Sequence, residues 1–228
     1  MKEKVVLITG ANGLLGSSVT NLLLETGAMV VGASRSLNDK EIGHSNFAAK
    51  EADLSNGPAA QTLIGSTLKE FGRIDVLVHT IGSYAGGESI QNTDDKTFDQ
   101  MMAVNLRTAF YVLRAVIPAM RRAATGRIIA IGSRSAVEPS PSAAVYGASK
   151  AALVSLLKSA AAENKNAGFT INAILPGTID TPQNRAAMPN AEFAEWVSAG
   201  KIAETVLWLS SPAASDINGA MIEVYGKS

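Results

Sequence analysis

Seven short runs of apolar, largely β-branched residues recur along this chain, and most are continuous rather than alternating with polar residues. They are Val5–Thr9, Met29–Ala33, Phe47–Ala49, Asp75–His79, Arg127–Ile131, Thr170–Leu175 and Ala220–Val224. A strand with one wet face alternates; a continuous run marks a strand covered on both faces, as in a parallel sheet. Helical patterns fill the intervals: Leu15, Val19, Leu22 and Leu23 in the first, then Pro58–Phe71, Asp95–Met120 in two pieces, Val145–Lys165 and Lys201–Ser210. Gly27, Gly72, Gly126 and Gly168 each follow a helical pattern and precede a strand, as helix stops do. The expected fold is α/β, a single doubly wound parallel sheet of about seven strands with helices on both faces.

The chain has 228 residues, 46% of them apolar and 18% charged, enough to bury a full core. It shows no linker, internal repeat or charge block, so one domain is expected over residues 1–228. The longest irregular stretch, Pro176 to Gly200, holds Pro176, Pro182 and Pro189 and reads as a lid loop. Lys+Arg and Asp+Glu are both 20, so the basic footprint of a nucleic-acid binder is absent. With no cysteine, disulfides, thiolate catalysis and Cys-ligated metal are excluded, and no metal is expected. Val5 to Ile8 is too short for a secretory core, which needs about 7 apolar residues. Ala143–Ala162 carries Lys150 and Lys158 and is no membrane span. A soluble cytoplasmic protein with no membrane or nucleic-acid partner is the expectation.

The first strand runs into Thr9-Gly10-Ala11-Asn12-Gly13-Leu14-Leu15-Gly16 and then a helix. One glycine permits the tight turn, a later one lets backbone approach a pyrophosphate, and amides at the helix start hold the anion. A site that prefers NAD commonly ends the second strand with Asp or Glu on the ribose hydroxyl. Here the segment is Ser34-Arg35-Ser36. Arg35 can pair with a 2′-phosphate and the serines can donate to it, which favours NADP(H), with NAD(H) possible.

Tyr146 and Lys150 stand four apart in a helical pattern and share a face. A nearby ammonium favours the phenolate and makes tyrosine a usable acid–base group. Thr9–Gly16, Asp53-Leu54, Asn105, Ser133, Tyr146-x-x-x-Lys150 and Pro176-Gly177-x-x-x-Thr181, in this order and spacing, resemble the short-chain dehydrogenase/reductase family, single-domain Rossmann type. The resemblance covers nearly the whole chain. It implies hydride transfer between a nicotinamide cofactor and a carbonyl or alcohol, with Tyr146 as general acid, Ser133 polarising the carbonyl and Asn105 holding a relay water. Lys150 would lower the tyrosine pKa and bind the nicotinamide ribose. Asp53 and Leu54 would face the adenine, and Thr181 with the Ile179 backbone would fix the carboxamide. Gly10, Asn12, Gly13, Leu14, Leu15 and Gly16 would line the pyrophosphate, and Thr80, Ile81, Gly82, Pro176 and Gly177 the rest of the cofactor.

Two departures stand out. The glycine spacing is G-x-x-G-x-x-G, with Leu14 where the middle glycine usually falls. After the fourth strand the chain reads His79-Thr80-Ile81-Gly82 where most members have Asn-Asn-Ala-Gly. A histidine at a strand end is more often a hydrogen-bonded structural group than a catalytic one, and His44 lies in a polar loop. A narrower resemblance, to dihydropteridine reductase, is carried by Gly82–Gly87 and by Asp180-Thr181-Pro182, Asn184-Arg185, Met188-Pro189, Phe193 and Trp196. Ser133 and the missing acid after strand two depart from it. Expected substrate liners are Ser83, Tyr84, Arg134, Gln183 and Trp196, with Met188 and Phe193. The helix near Val104–Met120 is apolar almost all round, and the resemblance implies that it and the Tyr146 helix join copies into a homodimer or homotetramer. The alternative functions are a pterin reductase, an epimerase or dehydratase on the same fold, and a catalytically silent nucleotide-binding protein.

Overall fold

Val5–Thr9 (β1) is buried at every position, and Val6, Leu7 and Ile8 have no exposed surface at all. A strand so enclosed needs neighbours on both edges and cover on both faces. The computed structural model, which describes residues 1–37 and 42–227, supplies them. Further strands are Met29–Ser34 (β2), Phe47–Glu51 (β3), Val76–His79 (β4), Gly126–Ile131 (β5), Phe169–Pro176 (β6), Ile179–Asp180 (β7), Val197–Ser198 (β8) and Met221–Val224 (β9). Seven form one parallel sheet in the order β3-β2-β1-β4-β5-β6-β9. All seven expected strands are present, within one or two residues of their expected ends.

The helices are Leu14–Glu25 (α1), Gly57–Phe71 (α2), Asp95–Met102 (α3), Thr108–Ala123 (α4), Ala144–Glu163 (α5), Pro182–Ala187 (α6) and Ala199–Leu209 (α7). Successive strand residues point to opposite faces. Val6, Ile8, Val30, Val78 and Ile129 pack with α1 and α7, while Leu7, Val31, Leu77, Ile128 and Ile171 pack with α2, α4 and α5. The sheet is therefore doubly wound, as the continuous apolar runs require. Its order reverses at β1, which pairs with both β2 and β4. A crevice opens there beyond the carboxyl ends of the strands.

Two elements differ in detail from their sequence pattern. The helix expected over Asp95–Met120 does divide, but at a π-helical turn, Ala103–Arg107, and it runs on to Ala123. Residues 176–200 are not irregular. Ile179 and Val197 pair in a small parallel ladder, β7 with β8, and α6 and a 3₁₀ turn at Phe193–Glu195 lie between them. Local chemistry builds this: the Thr181 hydroxyl caps α6 by accepting from Asn184 N at 3.0 Å. Arg185 grips Asp180 through two hydrogen bonds of 2.6 and 2.7 Å and lies 4.8 Å over the Phe193 ring. The end of the chain closes on the same segment, since Lys227 N donates to the Glu195 carbonyl at 2.9 Å. No helix among the described residues is long and apolar enough to cross a membrane.

Candidate active site

The glycine turn after β1 is stapled to its neighbours by backbone. Gly10 N donates to the Ala33 carbonyl at 2.7 Å, at the end of β2, and Gly13 N to Gly10 O at 3.0 Å. Gly10 takes φ +82, and a side chain on Gly16 would collide with the Gly10 carbonyl, so the turn closes only with glycine at both places. From β4, the Thr80 hydroxyl donates to Thr9 O at 2.9 Å and holds the turn from the other side. Asn12 Nδ2 reaches across to the Ser36 carbonyl at 3.2 Å and ties the turn to the segment carrying Arg35.

Helix α1 starts at this turn with Gly13 as its cap, so no side chain satisfies its first amides and no acid stands in its first turn. Leu14 is 45% exposed beside it. An uncapped helix start with the positive end of its dipole facing a crevice fits a pyrophosphate. Arg35 and Ser36 are exposed at the end of β2, whereas the Ser34 hydroxyl is buried with no hydrogen-bond partner among the described residues. The Asp53 carboxyl is held below the usual range chiefly by the Ser55 N–H and hydroxyl, and to a lesser degree by the charge of Arg35. Leu54 beside it is buried.

Ser133 lies just beyond β5 and Tyr146 in the first turn of α5, with the Ser133 hydroxyl beside the phenol. Burial raises the Tyr146 pKa, the Ser133 contact offsets part of that, and Tyr84 adds to the rise. The phenol is therefore protonated at neutral pH. Ser133 Oγ also accepts from Ser135 N at 3.2 Å. Lys150, one turn on, is buried and donates from Nζ to the Ile131 carbonyl at 3.0 Å. Desolvation pulls its pKa down to about 8. A Cβ on Gly82 would sit 3.0 Å from this ammonium, so the missing side chain leaves the cation room at the crevice.

Asn105 stands in the π-helical turn and is fully buried. Its amide accepts from Ser83 N at 2.8 Å and donates to Ser83 O at 3.0 Å and to Ser149 Oγ at 2.9 Å. Ser149 in turn donates to the Tyr146 carbonyl at 2.7 Å. Sequence reasoning missed Ser149, although it sits between Tyr146 and Lys150. His79 is buried between Thr9 Oγ1 at 2.8 Å and Thr108 Oγ1 at 3.4 Å, as a structural histidine is. Burial, and then the charge of Lys150, pulls its pKa down to about 3.

The expected substrate liners are dispersed. The Tyr84 ring stands edge-on to Tyr146 with centroids 4.9 Å apart, and Ser83 is fixed by Asn105. Arg134 is engaged elsewhere: Nε donates to Glu138 Oε2 at 2.6 Å and the guanidinium lies 4.9 Å over the Tyr225 ring. Phe193 and Trp196 meet at a tilt of 57°, with ring centroids 4.9 Å apart, within the 176–200 segment, and Gln183 and Met188 lie exposed on it. Pro176 ends β6, Gly177 N donates to Val224 O at 3.0 Å, and Ile179 O accepts from Asn184 Nδ2 at 2.8 Å. Ile81 packs partly buried against the core on the α2, α4 and α5 side. No group of three His, Cys, Asp or Glu side chains among the described residues could hold a metal.

The short chain dehydrogenase profile matches residues 4–192. A 3-oxoacyl-[acyl-carrier-protein] reductase of Salmonella typhimurium is 31% identical over 235 residues, which cover 98% of this chain and 96% of that protein. Among solved structures, ElxO with NADP bound superposes with a TM-score of 0.92 at 26% identity, covering 99% of this chain and 98% of the other. A 3-ketoacyl-(acyl-carrier-protein) reductase from Brucella melitensis complexed with NADH gives 0.89 at 27% identity, with 99% and 98% covered. The chain belongs to the short-chain dehydrogenase family and is an NAD(P)-dependent oxidoreductase acting on CH–OH and C=O groups.

Proposed function

We propose that the protein is an NADP(H)-dependent carbonyl reductase, reversible as an alcohol dehydrogenase, with Tyr146 as its general acid. The observation that carries this reading is the Ser133 hydroxyl set beside the buried Tyr146 phenol, one helical turn from the buried Lys150 ammonium. The cofactor, when bound, supplies or accepts the hydride. The chain's own residues do the rest. The amides at the start of α1 would bind the pyrophosphate and Lys150 a ribose hydroxyl; the lowering of the tyrosine pKa by Lys150 that the resemblance implies is not among the influences on Tyr146. Ser133 donates to the carbonyl oxygen and orients it. Tyr146, kept protonated by burial, hands its proton to that oxygen as charge develops there. Asn105 fixes the Ser83 backbone and so the wall of the pocket. Arg35, exposed where an NAD-preferring site has an acid, pairs with a 2′-phosphate.

The 176–200 segment serves as the lid of the site, and Thr181 and the Ile179 backbone would fix the carboxamide from it. The outer faces of α4 and α5 favour a homo-oligomer. One experiment tests the reading: a panel of ketones, quinones and pterins followed by NADPH and NADH absorbance, with two variants. Tyr146→Phe should cut kcat by about a thousandfold or more while NADPH affinity stays within about twofold. Arg35→Ala should raise KM for NADPH about tenfold or more and leave KM for NADH nearly unchanged. A Tyr146→Phe enzyme with full kcat would overturn the catalytic assignment, and equal effects on both cofactors would overturn the NADP preference.

A further inference from the structure

Beside Tyr84 lies a cavity of about 380 Å³, walled by Ala85, Gly86 and Glu88 on one side and Ser142 to Val145 on the other, with Asn92 to Asp94 and Thr97 closing it. Its size suits a small organic group. It is joined to the chemistry through Tyr84, which stands against Tyr146 and against Gly86 in the cavity wall. Tyr84 is the partition: its ring meets Tyr146 at 70° and is 66% exposed, and its hydroxyl lies against Gly86. The walls are pinned to each other by Gly87 N donating to Ser142 O at 2.8 Å. A substrate whose carbonyl oxygen meets Tyr146 has this space for its far end.

The lining is polar and one-signed. Glu88 and Asp94 bring two carboxylates, Asn92, Thr93, Thr97 and Ser142 bring neutral polar groups, and no lysine or arginine is among the lining residues. Asp94 Oδ1 accepts from Thr97 N at 2.7 Å; the Thr97 hydroxyl chiefly, then this amide, and the charge of Lys96 least, hold its carboxyl below the usual range. It is therefore charged throughout the physiological range. Lys96 is the cation whose charge bears on Asp94, and Arg134 is hydrogen-bonded to Glu138.

We propose that this cavity is the subsite for the distal part of the substrate and that it selects cationic or neutral polar carbonyl compounds against anionic ones. The inference rests on the oxidoreductase reading of the Tyr146 site and goes beyond it by naming the charge class of the substrate. Acyl groups on an anionic carrier such as coenzyme A fall in the disfavoured class. A carboxylate brought within a few ångströms of Glu88 and Asp94 meets like charge in a cleft that only partly screens it.

Three acetophenones of one shape test this: 4-(aminomethyl)acetophenone, 4-(hydroxymethyl)acetophenone and 4-acetylbenzoate. Equilibrium binding to the NADP-saturated full-length protein is measured first, then NADPH-dependent turnover. The ammonium compound should bind about tenfold more tightly than the carboxylate, and 0.5 M salt should compress that ratio. The Glu88→Gln/Asp94→Asn double variant, in which Asn keeps the cap of α3, should bring the ratio close to one with NADPH affinity unchanged. A ratio that is the same in wild type and double variant overturns the inference, as does no binding of the ammonium compound at millimolar concentration. Charge-graded binding without turnover of any ketone sinks the oxidoreductase reading instead and leaves the charge selectivity standing.

Discussion

His79 shows how one residue departs from a family pattern without taking up chemistry. Its ring bridges Thr9 at the end of β1 and Thr108 at the start of α4, so it couples the glycine turn to the helix that follows Asn105. Buried and facing the Lys150 charge, it takes a proton only near pH 3 in the folded chain, against 6.5 for an ordinary histidine. Between those values the unfolded chain binds the extra proton, so this residue's contribution to stability is intact above about pH 6.5 and is lost as the pH falls toward 3. Urea midpoints at pH 7, 5.5 and 4.5 check it: the wild type should lose more stability over that range than His79→Asn. Parallel losses would remove His79 as the acid-sensitive group. That it is a structural histidine was legible from its place at a strand end; its two threonine partners, 70 and 29 residues away in sequence, were not.

At the scale of elements, the joint between α3 and α4 is docked on α5 by a single polar seam. The π-helical turn swings Asn105 inward, and Ser149 receives it while holding the Tyr146 carbonyl. Ser149 is thus a positioning residue that acts through Asn105 and the Ser83 backbone. Ser149→Ala should lower kcat about tenfold with cofactor Kd within about twofold of wild type, and Ser149→Thr should recover part of the loss. If kcat holds while thermal stability alone falls, the seam is only structural. The seven strands were readable because double-sided burial writes itself as unbroken apolar runs, and the helix stops because glycine marks them. The π-helical turn was not, because its residues Ala103-Val104-Asn105-Leu106-Arg107 suit an α-helix equally well. Nor were β7 and β8: two-residue strands carry no period, and their pairing is decided by what lies 18 residues away. The order and spacing of Asn105, Ser133, Tyr146 and Lys150 carried the family resemblance, whereas the engagement of Arg134 by Glu138 and Tyr225 is a tertiary fact.

At the scale of the molecule, the sheet has cover on both faces, but the cover has its own outer surface. Phe110 is 41% exposed on α4 under the Arg114 guanidinium, 5.0 Å from its ring, and Ile117, Ala151, Ala152 and Leu156 are only half-buried. These faces of α4 and α5 are the ones the homo-oligomer reading assigns to contact between copies. Sedimentation at micromolar concentration should show a dimer or tetramer, and Phe110→Glu should shift it toward monomer. A wild-type chain that sediments as a monomer removes the oligomer.

The contact of Lys227 with Glu195 carries a practical consequence. Residues joined after Lys227 would leave from beside the 3₁₀ turn at Phe193–Glu195. A purification handle placed there loads the backbone bond that pins this turn, so assays meant to compare variants belong on protein tagged elsewhere or not at all.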